Sequence, residues 1–298
     1  MIQGRIVELQ QPGVVLSKER GCLTVQKDGE TLGVIPLDDL ASVLFTGFGQ
    51  IISTQALLAL IERNVSVIFC SENYHPAGLL LSCVGNVEQA GRLQRQVKLS
   101  TPFKKRAWQL LVQAKLLNQS RVLEKFGVDG SKIRALSARV RSGDPNNIEA
   151  QAAREYWQKL FGSDFLRNTD QKGVNSFLNY GYAVVRAAVA RALVASGLNP
   201  ALGIHHQQSR NAFALADDFI EPFRPYVDET VRSLGDTQNL VELMPEHKRA
   251  LAQIIQTDQP TADGVTPLAL CILRLAQSFV RSIESGKLAL EFPLEISP

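Results

Sequence analysis

The sequence has no long apolar run. The longest clean one, Ala56 to Ile61, is six residues, and the longer stretch Ala183 to Ala195 carries Arg186 and Arg191. A helix that spans a bilayer needs about 20 apolar residues, so no transmembrane segment is predicted. Met1 to Ile6 contains Arg5 and no apolar h-region, which predicts no secretory signal. Cysteine is scarce: Cys22, Cys70, Cys83 and Cys271 form no CxxC pair and no zinc spacing. Reduced thiols in a cytoplasmic protein are therefore expected, rather than a disulfide scaffold or a structural zinc. A Walker A loop and a GxGxxG turn are both missing, which removes support for nucleotide binding. Histidine is limited to His75, His205, His206 and His247.

What is present divides into two textures. Up to about residue 90, short β-branched runs alternate with turn signals: Arg5 to Leu9, Val14 to Ser17, Cys22 to Gln26 and Thr31 to Pro36. Ser42 to Thr46 and Val65 to Cys70 read as buried strands, with a helix over Ser53 to Arg63 capped by Ser53 between them. Leu79 to Cys83 is a further candidate strand. Beyond that point helical spacing dominates: Pro102 to Lys125, Asn147 to Phe161, Gly173 to Ser196, Phe213 to Glu221 and Thr266 to Glu284. Pro222 and Pro225 predict a turn or bend after the fourth of these. The predicted fold class is α+β multidomain: a β-sandwich-like domain with one helix (1–88), then a larger all-α domain (89–298).

The formal charge is only +3, but it is a cancelled total. Residues 1–91 hold 5 basic and 9 acidic side chains, residues 92–139 hold 12 and 2, and residues 213–298 hold 7 and 13. Arg92, Arg95, Lys98, Lys104, Lys105, Arg106, Lys115 and Arg121 lead the basic segment, and the acids needed for i,i+4 pairing are almost absent from it. An unpaired basic strip suits a polyanion, because each neutralised phosphate releases counterions. Such a strip would position a nucleic acid without reading its sequence, the bland alternative being a solvated face.

Carboxylates near a histidine are the ingredients of a divalent-metal site. His205 and His206 are adjacent, and Asp218 and Glu221 follow at i and i+3 of a helical stretch, so both can face one point. The bland alternative is an acidic helix start. Glu149 lies on a helix face with Ala153 and Tyr156, where a carboxylate needs a partner, either an arginine or a metal.

The order of motifs carries a resemblance over nearly the whole chain, weakest after about Asp236. Asn146-Asn147-Ile148-Glu149-Ala150-x-Ala152-Ala153-Arg154-x-Tyr156-Trp157 is followed by Asn175-x-x-Leu178-Asn179-Tyr180-Gly181-Tyr182. Gly197-Leu198-x-Pro200-x-x-Gly203-x-x-His206 and Asp218-x-x-Glu221-Pro222-Phe223-Arg224-Pro225 come next. Together with Ile35 to Phe45 and Val65 to Cys70, these resemble the CRISPR-associated integrases of spacer acquisition, the first-numbered Cas subunit. Leu215 to Glu221 and the short linker look most like the type II members.

That resemblance implies an N-terminal domain that dimerises and a helical domain that carries the site. It implies a metal set of Glu149, His206 and Glu221, with Asp218 completing the catalytic group. The family histidine stands three residues after the glycine, which selects His206 over His205. It implies Mg²⁺ or Mn²⁺, insertion of new spacers by attack of a DNA 3′-hydroxyl on the repeat phosphodiester, a homodimer, and the second-numbered Cas subunit as partner. Arg92, Arg95, Lys98, Lys104, Lys105 and Arg106 are then the expected contacts to double-stranded DNA. Arg224 is placed to hold Glu221, Asp218 or a phosphate. Asn179 is expected to orient a catalytic group, and Tyr156, Tyr180 and Tyr182 to pack in the core. A water-using nuclease and a non-catalytic DNA scaffold are the competing readings.

Overall fold

The computed structural model describes residues 5–70, 76–80, 82, 88–206, 208, 210–236, 240–262 and 264–293. Its internal contacts separate two compact units, Met1–Gly85 and Asn86–Pro298.

The first unit runs β1 (Arg5–Leu9), β2 (Val15–Glu19), β3 (Cys22–Lys27), β4 (Glu30–Pro36), β5 (Leu40–Phe45), β6 (Ile51–Ile52), α1 (Thr54–Glu62), β7 (Ser66–Cys70) and β8 (Pro76–Leu80). One sheet has the order β1-β5-β7-β8 and the other β4-β3-β2-β6. β5 and β7 pair in parallel, joined through α1, and both bury their apolar runs as continuous hydrophobic strands do. One core cluster draws Leu9, Val43 and Val67 from the first sheet, Leu16 and Leu23 from the second, and Ala56 and Leu60 from α1. The one polar pair inside this register is satisfied internally: Ser42 Oγ and Ser66 Oγ lie 2.7 Å apart. Ser53 caps α1 as expected, accepting from Ala56 N at 3.2 Å. The last described strand of this unit is Pro76–Leu80, which contains residues 79 and 80 of the expected Leu79 to Cys83; residue 81 lies outside the described residues. It is an edge strand, where an initial proline loses no ladder bond. Cys83 lies outside the described residues.

The second unit runs α2 (Gln89–Val97), α3 (Thr101–Lys125), α4 (Ser131–Arg139), α5 (Ile148–Phe161), α6 (Val174–Ala195), α7 (Ala214–Phe219), a 3₁₀ turn (Glu221–Phe223), α8 (Arg224–Ser233), α9 (Pro245–Gln253), β9 (Asp258–Thr261), β10 (Gly264–Pro267) and α10 (Leu268–Ser285). The β9–β10 hairpin corrects the all-α expectation. Its strands are four residues each and hold Pro260 and Pro267, so no alternating pattern marks them. α8 is a second correction. Pro225 does not bend the chain there but sits in the first turn of a helix, where its missing N–H costs nothing.

α6 is buried along nearly its full length, as a helix apolar all round must be. It packs against α7, α8, α9 and α10, while α3 packs against α4, α5, α8 and the 3₁₀ turn. Gly181 sets the α6–α8 approach: a Cβ there would meet Val227 Cγ1 at 2.4 Å. The framework thus brings one end of α5, the middle of α3 and the 3₁₀ turn together. No helix among the described residues is long and apolar enough to cross a membrane.

Candidate active site

The acidic run from Asp217 to Asp228 is not a solvated face. Each carboxylate in it has its own partner. Asp217 takes a forked contact from Arg186 of α6, at 2.5 and 2.9 Å, and a bond from Asn211 at 2.8 Å. Asp218 turns the other way, to the loop Gly203-Ile204-His205-His206. It has no exposed surface. Its Oδ2 accepts from Ile204 N at 2.7 Å and His205 N at 3.1 Å, and its Oδ1 accepts from His206 N at 3.1 Å. The same Oδ1 lies 2.7 Å from His206 Nδ1. A Cβ on Gly203 would come within 2.1 Å of His206 O and 3.1 Å of Asp218 Oδ2, so only glycine allows this closure.

Asp218 and Glu221 take different partners: the α-helix ends at Phe219 and Glu221 opens the 3₁₀ turn, from which its charge still acts on His206. Asp218 is a positioning residue: it builds the loop and fixes the imidazole. Its hydrogen bond also raises the His206 pKa above the ordinary histidine value, against the opposing effect of burial. With Nδ1 engaged, Nε2 is the nitrogen left to bind a ligand, the usual arrangement of a carboxylate behind a metal-binding histidine.

Glu221 meets Glu149 through a residue that the sequence reading had assigned to the basic strip. Lys115 Nζ lies 2.6 Å from Glu149 Oε1 and 2.5 Å from Glu221 Oε2. Its place was legible, since Trp108, Leu111, Val112, Lys115, Leu116 and Gln119 form the buried stripe of α3. Lys115 is only 8% exposed. Burial works against its charge, but Glu221 and Glu149 outweigh burial and hold its pKa above the ordinary lysine value. Arg224 Nε donates to Glu221 Oε1 at 2.8 Å, with its guanidinium 4.6 Å above the Tyr182 ring. Of the three partners left open for Arg224, the structure selects Glu221. Burial alone would raise the Glu221 pKa, yet Arg224 and Lys115 lower it to about 2.

Glu149 is presented by the first turn of α5. Asp144 starts that helix, accepting from Ile148 N and Glu149 N, both at 2.9 Å. Asn118 Nδ2 donates to Pro222 O at 3.0 Å and pins the 3₁₀ turn to α3. Two carboxylates and an imidazole nitrogen are a donor set that suits a hard divalent cation. The fit is visible in the cation already there, the Lys115 ammonium between Glu149 and Glu221. Among the described residues, no three His, Cys, Asp or Glu side chains are grouped so as to hold a metal ion.

The sequence profile of the family described as CRISPR associated protein Cas1 matches residues 7–250. The chain belongs to that family. The CRISPR-associated endonuclease Cas1 of Neisseria meningitidis serogroup C (strain 8013) is 42% identical to it over 250 residues, 83% of this chain and 82% of that protein. A casposase bound to integration product has the same fold, with a TM-score of 0.81 at 19% identity over 97% of this chain and 93% of that one. A chain of a Cas6-RT-Cas1–Cas2 complex matches with a TM-score of 0.79 at 18% identity, covering all of this chain (100%) and 37% of that one. The curated relatives in this family are named CRISPR-associated endonucleases.

Within this Cas1-family chain the sequence reading missed Asp228. It is fully buried and accepts from Tyr156 Oη at 2.9 Å and, through its other oxygen, from Tyr182 Oη. Burial raises its pKa to about 7, although both tyrosines pull the other way. Tyr156, Tyr180 and Tyr182 are core residues, as expected. Asn179 is also buried; it accepts from Arg167 at 2.7 Å and donates to Thr169 O at 2.8 Å, so it holds the segment after α5 against α6.

The basic strip also divides. Arg92 and Arg95 share Glu284 of α10, at 3.2 and 3.5 Å, and Arg92 also donates to Ser196 O at 3.0 Å. Lys115 and Arg121 are buried. Lys98, Lys105 and Arg106 are exposed and Lys104 half-buried, with no carboxylate at ion-pair distance among the described residues. Lys104 lines a cleft of about 420 Å³ with Gly203 and Arg210, beside the histidine loop.

Proposed function

We propose that this chain is a metal-dependent DNA strand transferase of CRISPR adaptation, joining a DNA 3′-hydroxyl to a phosphodiester of the repeat. The observation that carries this reading is the convergence of Glu149 and Glu221 on one buried cation, beside a histidine whose Nδ1 is locked by Asp218. Glu149, Glu221 and His206 Nε2 would hold Mg²⁺ or Mn²⁺. When bound, the cation supplies polarisation of the phosphodiester and compensation of charge on the leaving oxygen. Arg224 keeps Glu221 ionised and oriented. Asp218 keeps the Nδ1 proton of His206 in place, so that Nε2 presents a lone pair. No serine or cysteine nucleophile is needed, since the attacking group belongs to the DNA end. Lys98, Lys104, Lys105 and Arg106 hold the duplex by its phosphates, with Arg92 and Arg95 behind them.

The assembly reading has its own support. Leu32 and Val34 are 51% and 58% exposed on β4, an edge strand of the first unit. We take that unit as the homodimer contact. We infer a Cas2 partner by analogy with the Cas6-RT-Cas1–Cas2 complex, one chain of which shares this fold. The strand-transfer test is direct. Incubation of 3′-hydroxyl duplex with repeat DNA and Mn²⁺ is expected to give joined products, lost in Glu149→Ala and His206→Ala with folding intact. Joining that survives both changes would overturn the site. The Neisseria relative is named an endonuclease, which favours hydrolysis as a second reading. In that case 5′-phosphate fragments appear without joined species.

A further inference from the structure

We propose that Lys115 is a tethered counter-cation: its ammonium holds the divalent position between Glu149 and Glu221 when no metal is bound, and is displaced when one binds. This rests on the reading of Glu149 and Glu221 as metal ligands.

Two carboxylates brought together with little water repel each other, and an uncompensated buried charge is strongly unfavourable. The Glu221 side chain is 6% exposed and that of Glu149 25%. Without a metal, something must neutralise them, and the chain supplies Lys115 from the buried stripe of α3. The two cations on Glu221 are not equivalent. Arg224 is fixed twice, by its bond to Oε1 and by its seat over Tyr182. Its planar fork belongs to a set orientation. Lys115 is a point charge on a flexible four-carbon stem, held by its ion pairs to the two carboxylates. Glu221 therefore keeps its orientation when the lysine leaves. The cost falls on metal affinity, because any divalent ion must compete with an ammonium attached to the same framework.

The test is Mn²⁺ binding by electron paramagnetic resonance, alongside thermal unfolding in EDTA and in Mn²⁺. Wild type is compared with Lys115→Met, Lys115→Gln and Glu149→Gln, each checked for folding by circular dichroism. Lys115→Met is expected to bind Mn²⁺ at least tenfold more tightly than wild type. It is also expected to melt earlier in EDTA and to gain more from Mn²⁺. Lys115→Gln, which keeps a donor without the charge, is expected to follow it and decides the matter if the methionine variant does not fold. Equal or weaker Mn²⁺ binding in the Lys115 variants, with Glu149→Gln abolishing it, would overturn the lysine proposal and leave the metal reading standing. Absence of Mn²⁺ binding in every folded variant would overturn the metal reading, and the proposal with it.

Discussion

Replacing Asp218 by asparagine exchanges one carboxylate oxygen for an amide nitrogen in a place that offers only donors. Oδ2 faces the N–H groups of Ile204 and His205, and Oδ1 faces His206 N–H and Nδ1. Whichever oxygen is replaced, two donors then meet a donor. A hydrogen bond to a charged acceptor contributes about 1.5–3 kcal/mol, so losing two costs roughly 3–6 kcal/mol. The cost falls to one such bond, about 1.5–3 kcal/mol, if the amide takes the Oδ1 position, where only the His206 N–H is left without an acceptor. In that orientation the imidazole can satisfy the amide by accepting at Nδ1, which moves its proton to Nε2 and removes the metal-facing lone pair. Loss of such a partner commonly weakens metal binding by about 10–100-fold. Trp108 and Trp157 both lie in the second unit, so tryptophan fluorescence during urea unfolding reports on it. The expected result for Asp218→Asn is a loss of about 1.5–3 kcal/mol in EDTA, with Mn²⁺ affinity at least tenfold lower. Stability within about 1 kcal/mol of wild type and unchanged Mn²⁺ affinity would refute the argument.

Further outcomes are expected elsewhere. Burial raises Asp228 to about 7, whereas an unfolded aspartate titrates near 3.9, so the native state holds an extra proton between these values and loses stability as pH rises through them. The ceiling is about 4 kcal/mol, and Asp228→Asn should gain on wild type in urea midpoint from pH 5 to pH 8; a pH-independent difference refutes this. Gly203→Ala forces a Cβ against His206 O, so the amides of residues 204–206 should exchange hydrogen faster than in wild type; unchanged protection would count against the closure argument. Replacing Lys98, Lys104, Lys105 and Arg106 together by alanine should flatten the salt slope of duplex binding by up to about 3–4 units, as read by fluorescence anisotropy, at about 0.9 per phosphate contact. The Arg92→Ala, Arg95→Ala pair should change the slope less, because Glu284 already partly neutralises both.

Periodicity located the long elements because each buries one continuous pattern. β5 and β7 are mostly apolar, each with one serine, and α3, α5 and α6 carry spacing over several turns. The shorter α2, α4, α8 and α9 and the β9–β10 hairpin escaped, since nine or ten residues of polar helix, or four of strand with a proline, leave too little pattern. The same limit explains the basic segment. Local spacing showed no acids beside Arg92 and Arg95, but Glu284 reaches them from nearly two hundred residues away.

The sequence by itself determined which chemistry was available: few histidines, paired carboxylates, and the motif order around Glu149, His206 and Glu221. Tertiary structure alone decided how those groups were shared out. Asp218 and Glu221 are three residues apart, yet the switch from α-helix to 3₁₀ turn sends one to the histidine loop and the other to Lys115. Lys115 looked like one more positive charge in a strip, and only the packing of α3 against α5 and the 3₁₀ turn made it the centre of a buried carboxylate pair. Spacing along a chain fixes which face a side chain shares, but charge partners that lie far apart in sequence are chosen by the packing of whole helices.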